Sequence, residues 1–207
     1  MALQRLMPCL LLILLAMPAA AGPPVQVVTD PVGDVNTTVT PTNEDAVDIT
    51  GITLGSNGSV LDVTFELVDL REDQGPAGYQ LLMSLGSTTL VVRCDLGDYG
   101  SDEVGGLDET VDEANGEHHV CTAGTRTSEV IWSAVVHVEV PSDTVVDVDF
   151  TFNAVDDTLT VHAPYSAFGA SSGDSVTGFD AYACDSPALT TCQIVDWATG
   201  SGSYTLQ

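Results

Sequence analysis

The chain contains no lysine, and its four basic residues are all arginine: Arg5, Arg71, Arg93 and Arg126. Against 30 aspartates and glutamates they leave a formal net charge of −26 over 207 residues. A surface so poor in cations repels phosphate backbones and anionic headgroups, which argues against nucleic acid and charged membranes as partners. The same surface attracts cations, and salt relieves its self-repulsion. Tryptophan is scarce, with only Trp132 and Trp197. No Cys-x-x-Cys spacing occurs, which argues against a thiolate metal site. Long amphipathic helical patterns are missing too. Beyond the first 21 residues, no stretch is long and apolar enough to cross a bilayer.

The opening segment sets the expected compartment. Arg5 precedes an apolar run from Cys9 to Ala16, then Ala19-Ala20-Ala21 and Gly22-Pro23-Pro24. A short charged start, an apolar stretch and a small-residue site form the order of a secretory signal peptide. Cleavage is expected after Ala21, because a cut after Gly22 would set Pro23 beside the scissile bond. The apolar run falls short of the roughly 20 residues that span a membrane. Residues 1–21 therefore read as a signal peptide and 22–207 as one domain, secreted to the extracellular space or cell surface, with no membrane insertion after cleavage. Three arginines minus 30 acids then give a formal charge of −27. A domain of this length buries a sizeable core.

Four cysteines follow the signal: Cys94, Cys121, Cys184 and Cys192. An even number in an exported chain implies disulfides, with three possible pairings. Cys94–Cys121 and Cys184–Cys192 are expected, since each joins near neighbours across a hairpin or loop. Asn36 and Asn57 open N-glycosylation sequons.

Period-two alternation dominates the rest. Leu61, Val63, Phe65 and Leu67 alternate with Asp62, Thr64 and Glu66. Similar runs start at Trp132, Val146 and Leu159. Each has one dry and one wet face, the pattern of antiparallel strands packed against a second sheet. Asn57-Gly58, Gly86-Ser87, Pro141-Ser142-Asp143 and Asp156-Asp157 mark turns between them. The reading is all-β: a two-sheet antiparallel sandwich, jelly-roll-like, of about nine or ten strands. One helical turn is expected near Tyr165–Phe168.

The clearest chemical motif is Asp30-Pro31-Val32-Gly33-Asp34, followed by Asp48 at a strand start. Two aspartates four apart in a glycine turn aim oxygens at one point, and Asp48 adds a third. Calcium takes 6–8 oxygens from carboxylates, carbonyls and water, so Asp30, Asp34 and Asp48 are candidate calcium ligands. The same spacing also suits a turn held by Asx hydrogen bonds without an ion. A second possible metal loop contains Asp95, Asp98, Asp102 and Glu103, within a stretch from 95 to 117 that holds nine acids and no base.

Asp-Pro-x-Gly-Asp near the expected mature start, with the strand opening Ala46-Val47-Asp48-Ile49, resembles the DOMON-like β-sandwiches. These include the family-nine carbohydrate-binding modules and the C-terminal domain of glucodextranases. Val161-His162-Ala163-Pro164-Tyr165, Gly173-Asp174 and the closing Asp196-Trp197-Ala198 extend the resemblance. It implies a jelly-roll-like sandwich, frequent calcium, and binding of sugars, haem or cell-surface polymers. The chain departs from the sugar-binding members in its aromatics. Trp132 has core parity, which leaves Trp197 and Tyr99 as candidate ligand-binding platforms. For haem only Met83 stands at a plausible strand position, sharing parity with Leu81 and Leu85.

Other motifs carry less. His118 and His119 are adjacent, so on a strand they face opposite ways and make a poor zinc pair. Gly169-Ala170-Ser171-Ser172-Gly173 matches Gly-x-Ser-x-Gly, which has meaning only at a strand-to-helix turn of an α/β sheet. No enzyme activity is expected. The expected function is a calcium-stabilised binding module for a glycan or cell-surface polymer. The alternative is a non-catalytic structural or adhesive surface protein with a protein partner.

Overall fold

The computed structural model describes residues 22–36, 45–70, 77–96, 119–126, 144–185 and 193–207. Alternation becomes eleven strands there: β1 (Gly22–Thr29), β2 (Ile49–Ser56), β3 (Val60–Leu67), β4 (Ala77–Leu85), β5 (Thr88–Leu96), β6 (Val120–Arg126), β7 (Thr144–Asp147), β8 (Asp149–Asn153), β9 (Thr158–Pro164), β10 (Ser175–Asp185) and β11 (Gln193–Thr205). A five-stranded sheet runs β1-β2-β3-β9-β8, and a six-stranded sheet runs β11-β10-β4-β5-β6-β7. Every pairing is antiparallel. The expected two-sheet sandwich is therefore the fold.

The dry faces meet between the sheets. Leu61, Val63 and Phe65 of β3 and Leu159, Val161 and Ala163 of β9 are fully buried. They face Tyr79, Leu81 and Met83 of β4, of which none is more than 1% exposed. The Phe65 and Tyr79 rings join the sheets directly, with centroids 5.9 Å apart. Each such side chain, once buried, contributes about 1.5–3 kcal/mol.

The turns follow their residues. Gly58 and Gly86 adopt positive φ (88° and 60°), as does Asp157 (52°). The helical turn α1 (Tyr165–Phe168) is closed by Gly169 in the left-handed region. Among the described residues, no helix is long and apolar enough to cross a membrane.

One expected strand divides in two. The alternation Val146–Phe152 is unbroken, yet β7 belongs to the six-stranded sheet and β8 to the five-stranded one. The chain switches sheets at Val148, whose N–H donates to the Cys121 carbonyl at 3.0 Å. Val146, read as dry, is 47% exposed, and its neighbour Val145 is 40% exposed. The reason is position: β7 lies at the end of its sheet, so neither face of it is fully covered. The expected strand from Trp132 and the turn at Pro141 lie outside the described residues.

Cys94 and Cys121 face each other in register across β5 and β6 and form the expected disulfide, with Cα atoms 4.1 Å apart. Cys184 is also disulfide-bonded, while Cys192 lies outside the described residues.

Two glycines mark where backbones close on one another. A Cβ on Gly124 of β6 would lie 1.9 Å from the Thr144 carbonyl oxygen of β7. A Cβ on Gly200 of β11 would lie 2.1 Å from the Val27 carbonyl oxygen of β1. The first contact lies within one sheet, and the second brings the two sheets together along the β1/β11 edge.

Candidate metal centre

At that β1/β11 edge, four aspartates converge from distant parts of the chain. The N–H of Asp30, one residue past β1, donates to the Thr50 carbonyl at 3.1 Å, holding the chain beside β2. The turn that follows depends on Gly33, at φ 83°. The Gly33 N–H donates to Asp48 Oδ2 at 2.7 Å, which fastens the turn to the start of β2. Asp48 lies between a 3-10 turn (Asp45–Val47) and β2.

The fourth carboxylate comes from the other sheet. Asp196 of β11 accepts the Ile49 N–H at 2.7 Å on Oδ2 and the Trp197 N–H at 2.8 Å on Oδ1. Nearby, the Asn36 N–H donates to the Val195 carbonyl at 2.7 Å. Carboxylate oxygens of Asp30, Asp34 and Asp196 all lie within 4.8 Å of one another.

The site is partly buried, acidic and incompletely bonded. Asp48 is 2% exposed and Asp196 is 4% exposed, whereas Asp34 opens to solvent. Asp30 Oδ2 and Asp48 Oδ1 are buried without any hydrogen-bond partner. Such atoms are costly to bury unless something positive satisfies them. The basic side chains among the described residues are Arg93, Arg126, His119 and His162, and none is among the charges acting on the cluster.

Proton affinities rise accordingly. Burial, then the charges of Asp34 and Asp48, push Asp30 up to about 6. Burial pushes Asp196 up to about 7; the Ile49 and Trp197 N–H groups oppose the rise, and Asp30 and Asp34 add to it. Asp48 is raised chiefly by burial, against the Gly33 hydrogen bond. Like charges crowded into a partly buried site favour a bound cation. An all-oxygen set with anionic, unpartnered acceptors suits a hard cation such as calcium.

Two of the three aspartates expected from the sequence, Asp30 and Asp34, thus meet within ligand distance. The third partner at that distance is Asp196, while Asp48 flanks the site and holds its turn. Asp196 carried a weak sequence signal: a lone acid within the apolar run Ile194-Val195-Asp196-Trp197-Ala198.

Trp197 is 62% exposed and stacks on Tyr182, with centroids 6.0 Å apart and planes 17° from parallel. The two are register partners on β11 and β10. Burial, then the Asp180 charge, with Arg126 opposing, push the Tyr182 hydroxyl up to about 12. In the second possible metal loop, Asp95 lies in β5 and pairs with Arg93 at 2.9 Å. Asp98, Asp102, Glu103 and Tyr99 lie outside the described residues. Met83 is 1% exposed and sits in the core. His119 packs on Phe150 and Phe152, and His118 lies outside the described residues. Ser171, in the Gly-x-Ser-x-Gly match, follows α1 in a turn where its N–H donates to Asp174 at 2.8 Å.

The outer face of the five-stranded sheet is polar and cross-linked by side chains. Thr64 bonds Thr160 at 2.9 Å. His162 bonds both Asp62 and Thr151 at 2.8 Å.

The chain matches no model of a known protein family, no curated protein and no solved structure. The resemblance to DOMON-like sandwiches thus rests on the quoted motifs alone.

Proposed function

We propose that the protein is a secreted, non-catalytic, calcium-stabilised β-sandwich that binds a glycan or cell-surface polymer. One observation carries the calcium: buried, unpartnered oxygens of Asp30 and Asp48 stand in a carboxylate cluster on which no basic side chain among the described residues acts. Asp30, Asp34 and Asp196 would hold the ion, with Asp48 beside them. When bound, it neutralises the corner and ties the N-terminal turn to both sheets. The N-terminal sequence pattern and the Cys94–Cys121 bridge support export.

Ligand binding rests on Trp197. An indole exposed over most of its surface and braced by a stacked tyrosine offers a flat face to a pyranose ring. A glycan array probed with and without calcium tests this. Capture lost in Trp197→Ala supports the reading, and an array with no Trp197-dependent signal rejects it. A second reading, a structural or adhesive protein with a protein partner, draws on the exposed valines of β7. Under it the array stays blank, and Val145→Asp disrupts association instead.

A further inference from the structure

The acidic corner and the exposed indole are covalent neighbours. Asp196 is buried at the edge facing β1, while Trp197 points outward onto Tyr182. Both carboxylate oxygens of Asp196 are engaged by backbone N–H groups. Oδ2 takes Ile49 at the start of β2, and Oδ1 takes Trp197 itself. One side chain thus links the five-stranded sheet, the acidic corner and the peptide that carries the indole.

We propose that a divalent cation held by Asp30, Asp34 and Asp196 fixes Trp197 in its stacked position on Tyr182, so that cation binding and capture of a ligand on this indole reinforce each other. The proposal rests on the reading that the corner binds calcium. That reading has a second ground beside the grouping of Asp30, Asp34 and Asp196: the neighbouring Asp48 is only 2% exposed, and its Oδ1 has no hydrogen-bond partner.

Repulsion in the corner is relieved unevenly. Without a cation, three carboxylates within 4.8 Å repel one another. Asp34 is exposed, so its side chain can turn toward solvent. Asp196 has no such freedom, since two N–H donors hold it. Any shift it makes is passed to the Trp197 peptide through the 2.8 Å bond. A cation removes the repulsion and holds the carboxylate against both donors. Linkage then requires that a ligand preferring the stacked indole raise cation affinity by the same factor.

The test reads the indole directly and uses calcium chloride as the only probe. Trp132 and Trp197 are the two tryptophans, so Trp132→Phe leaves Trp197 as the sole indole, excited selectively over the tyrosines at the red edge of absorption. Calcium added to chelator-treated protein should shift Trp197 emission and reduce its quenching by acrylamide. The midpoint should match that of the rise in melting temperature. Asp34→Asn, which does not touch the indole, should weaken both midpoints together by about tenfold or more. If the melting temperature rises saturably while the Trp197 signal stays flat, the coupling is wrong and the cation site stands. If neither responds, the cation reading fails and takes the coupling with it. Should Trp132→Phe fail to fold, 5-fluorotryptophan in the unaltered chain gives two fluorine resonances. Trp197→Phe then assigns them, and the same outcomes apply.

Discussion

The sandwich is closed differently along its two long edges. Along one, the chain passes from β7 to β8 through the single residue Val148, pinned to the carbonyl of the disulfide residue Cys121. Along the other, β1 meets β11 at Gly200, and the adjoining corner is built from Asp30, Asp34, Asp48 and Asp196. Covalent continuity joins the two sheets along the first edge. The second is built from crowded carboxylates, so under the proposed reading its integrity should vary with calcium and pH. One fold thus combines a seam of continuous chain with a seam of buried charge.

The largest expected effect treats both edges alike. Phe65→Ala removes a fully buried ring that touches Tyr79 of the other sheet, and should cost about 3–5 kcal/mol in denaturant unfolding. The response to calcium should survive it, because the ring is no part of the corner.

Calcium separates the edges. Chelation should lower the melting temperature, and calcium at a hundredfold excess over its dissociation constant should restore about 2.7 kcal/mol. Asp34→Asn should blunt that response. Asp147→Asn, on exposed β7 at the opposite edge, should leave it intact. Equal loss in both variants, read by calorimetry, would mean that bulk charge and not a site is being screened.

The two close-approach glycines sharpen the contrast. Gly124→Ala and Gly200→Ala each push a methyl group into backbone and should cost about 1–3 kcal/mol. Only Gly200→Ala should also weaken calcium binding, since it displaces β1 just before Asp30. Isothermal titration of both variants checks this.

The last effect is that of pH. Asp30 and Asp196 titrate at about 6 and about 7 in the fold, against an ordinary value of 3.8. The folded calcium-free protein therefore holds protons that the unfolded chain has released. Their contribution to stability is full below about pH 4 and is lost as pH rises through 6 and 7. Melting temperatures in chelator should fall between pH 5 and 8. Asp196→Asn should flatten that slope, and saturating calcium should cancel it.

Legibility in the sequence followed the range of the interaction. Strand faces were readable because alternation is local, as in Leu61–Leu67, whose inward residues are at most 5% exposed. The turns and the Cys94–Cys121 pair were readable for the same reason. The sheet switch at Val148 was not, because period two reports which face a residue takes and not which sheet it joins. The corner was half legible. Asp30, Asp34 and Asp48 are close in sequence, but Asp196 reaches Ile49 across 147 residues. A buried acid in an apolar run marks a special position without saying what it meets.

The central seam of each sheet has a consequence for how the chain folds. Thr64 of β3 meets Thr160 of β9 across 96 residues, and Leu81 of β4 pairs with Ala181 of β10. Synthesis runs from the N-terminus, so β3 and β4 emerge long before β9 and β10, which pair with one edge of each. Until then each presents an unpaired edge, the surface by which nascent chains misassociate. The β4-β5-β6 meander can form early, locked by a disulfide spanning only 27 residues. The final closure must await the last third of the polypeptide, which places this protein among the slow, high-contact-order folders.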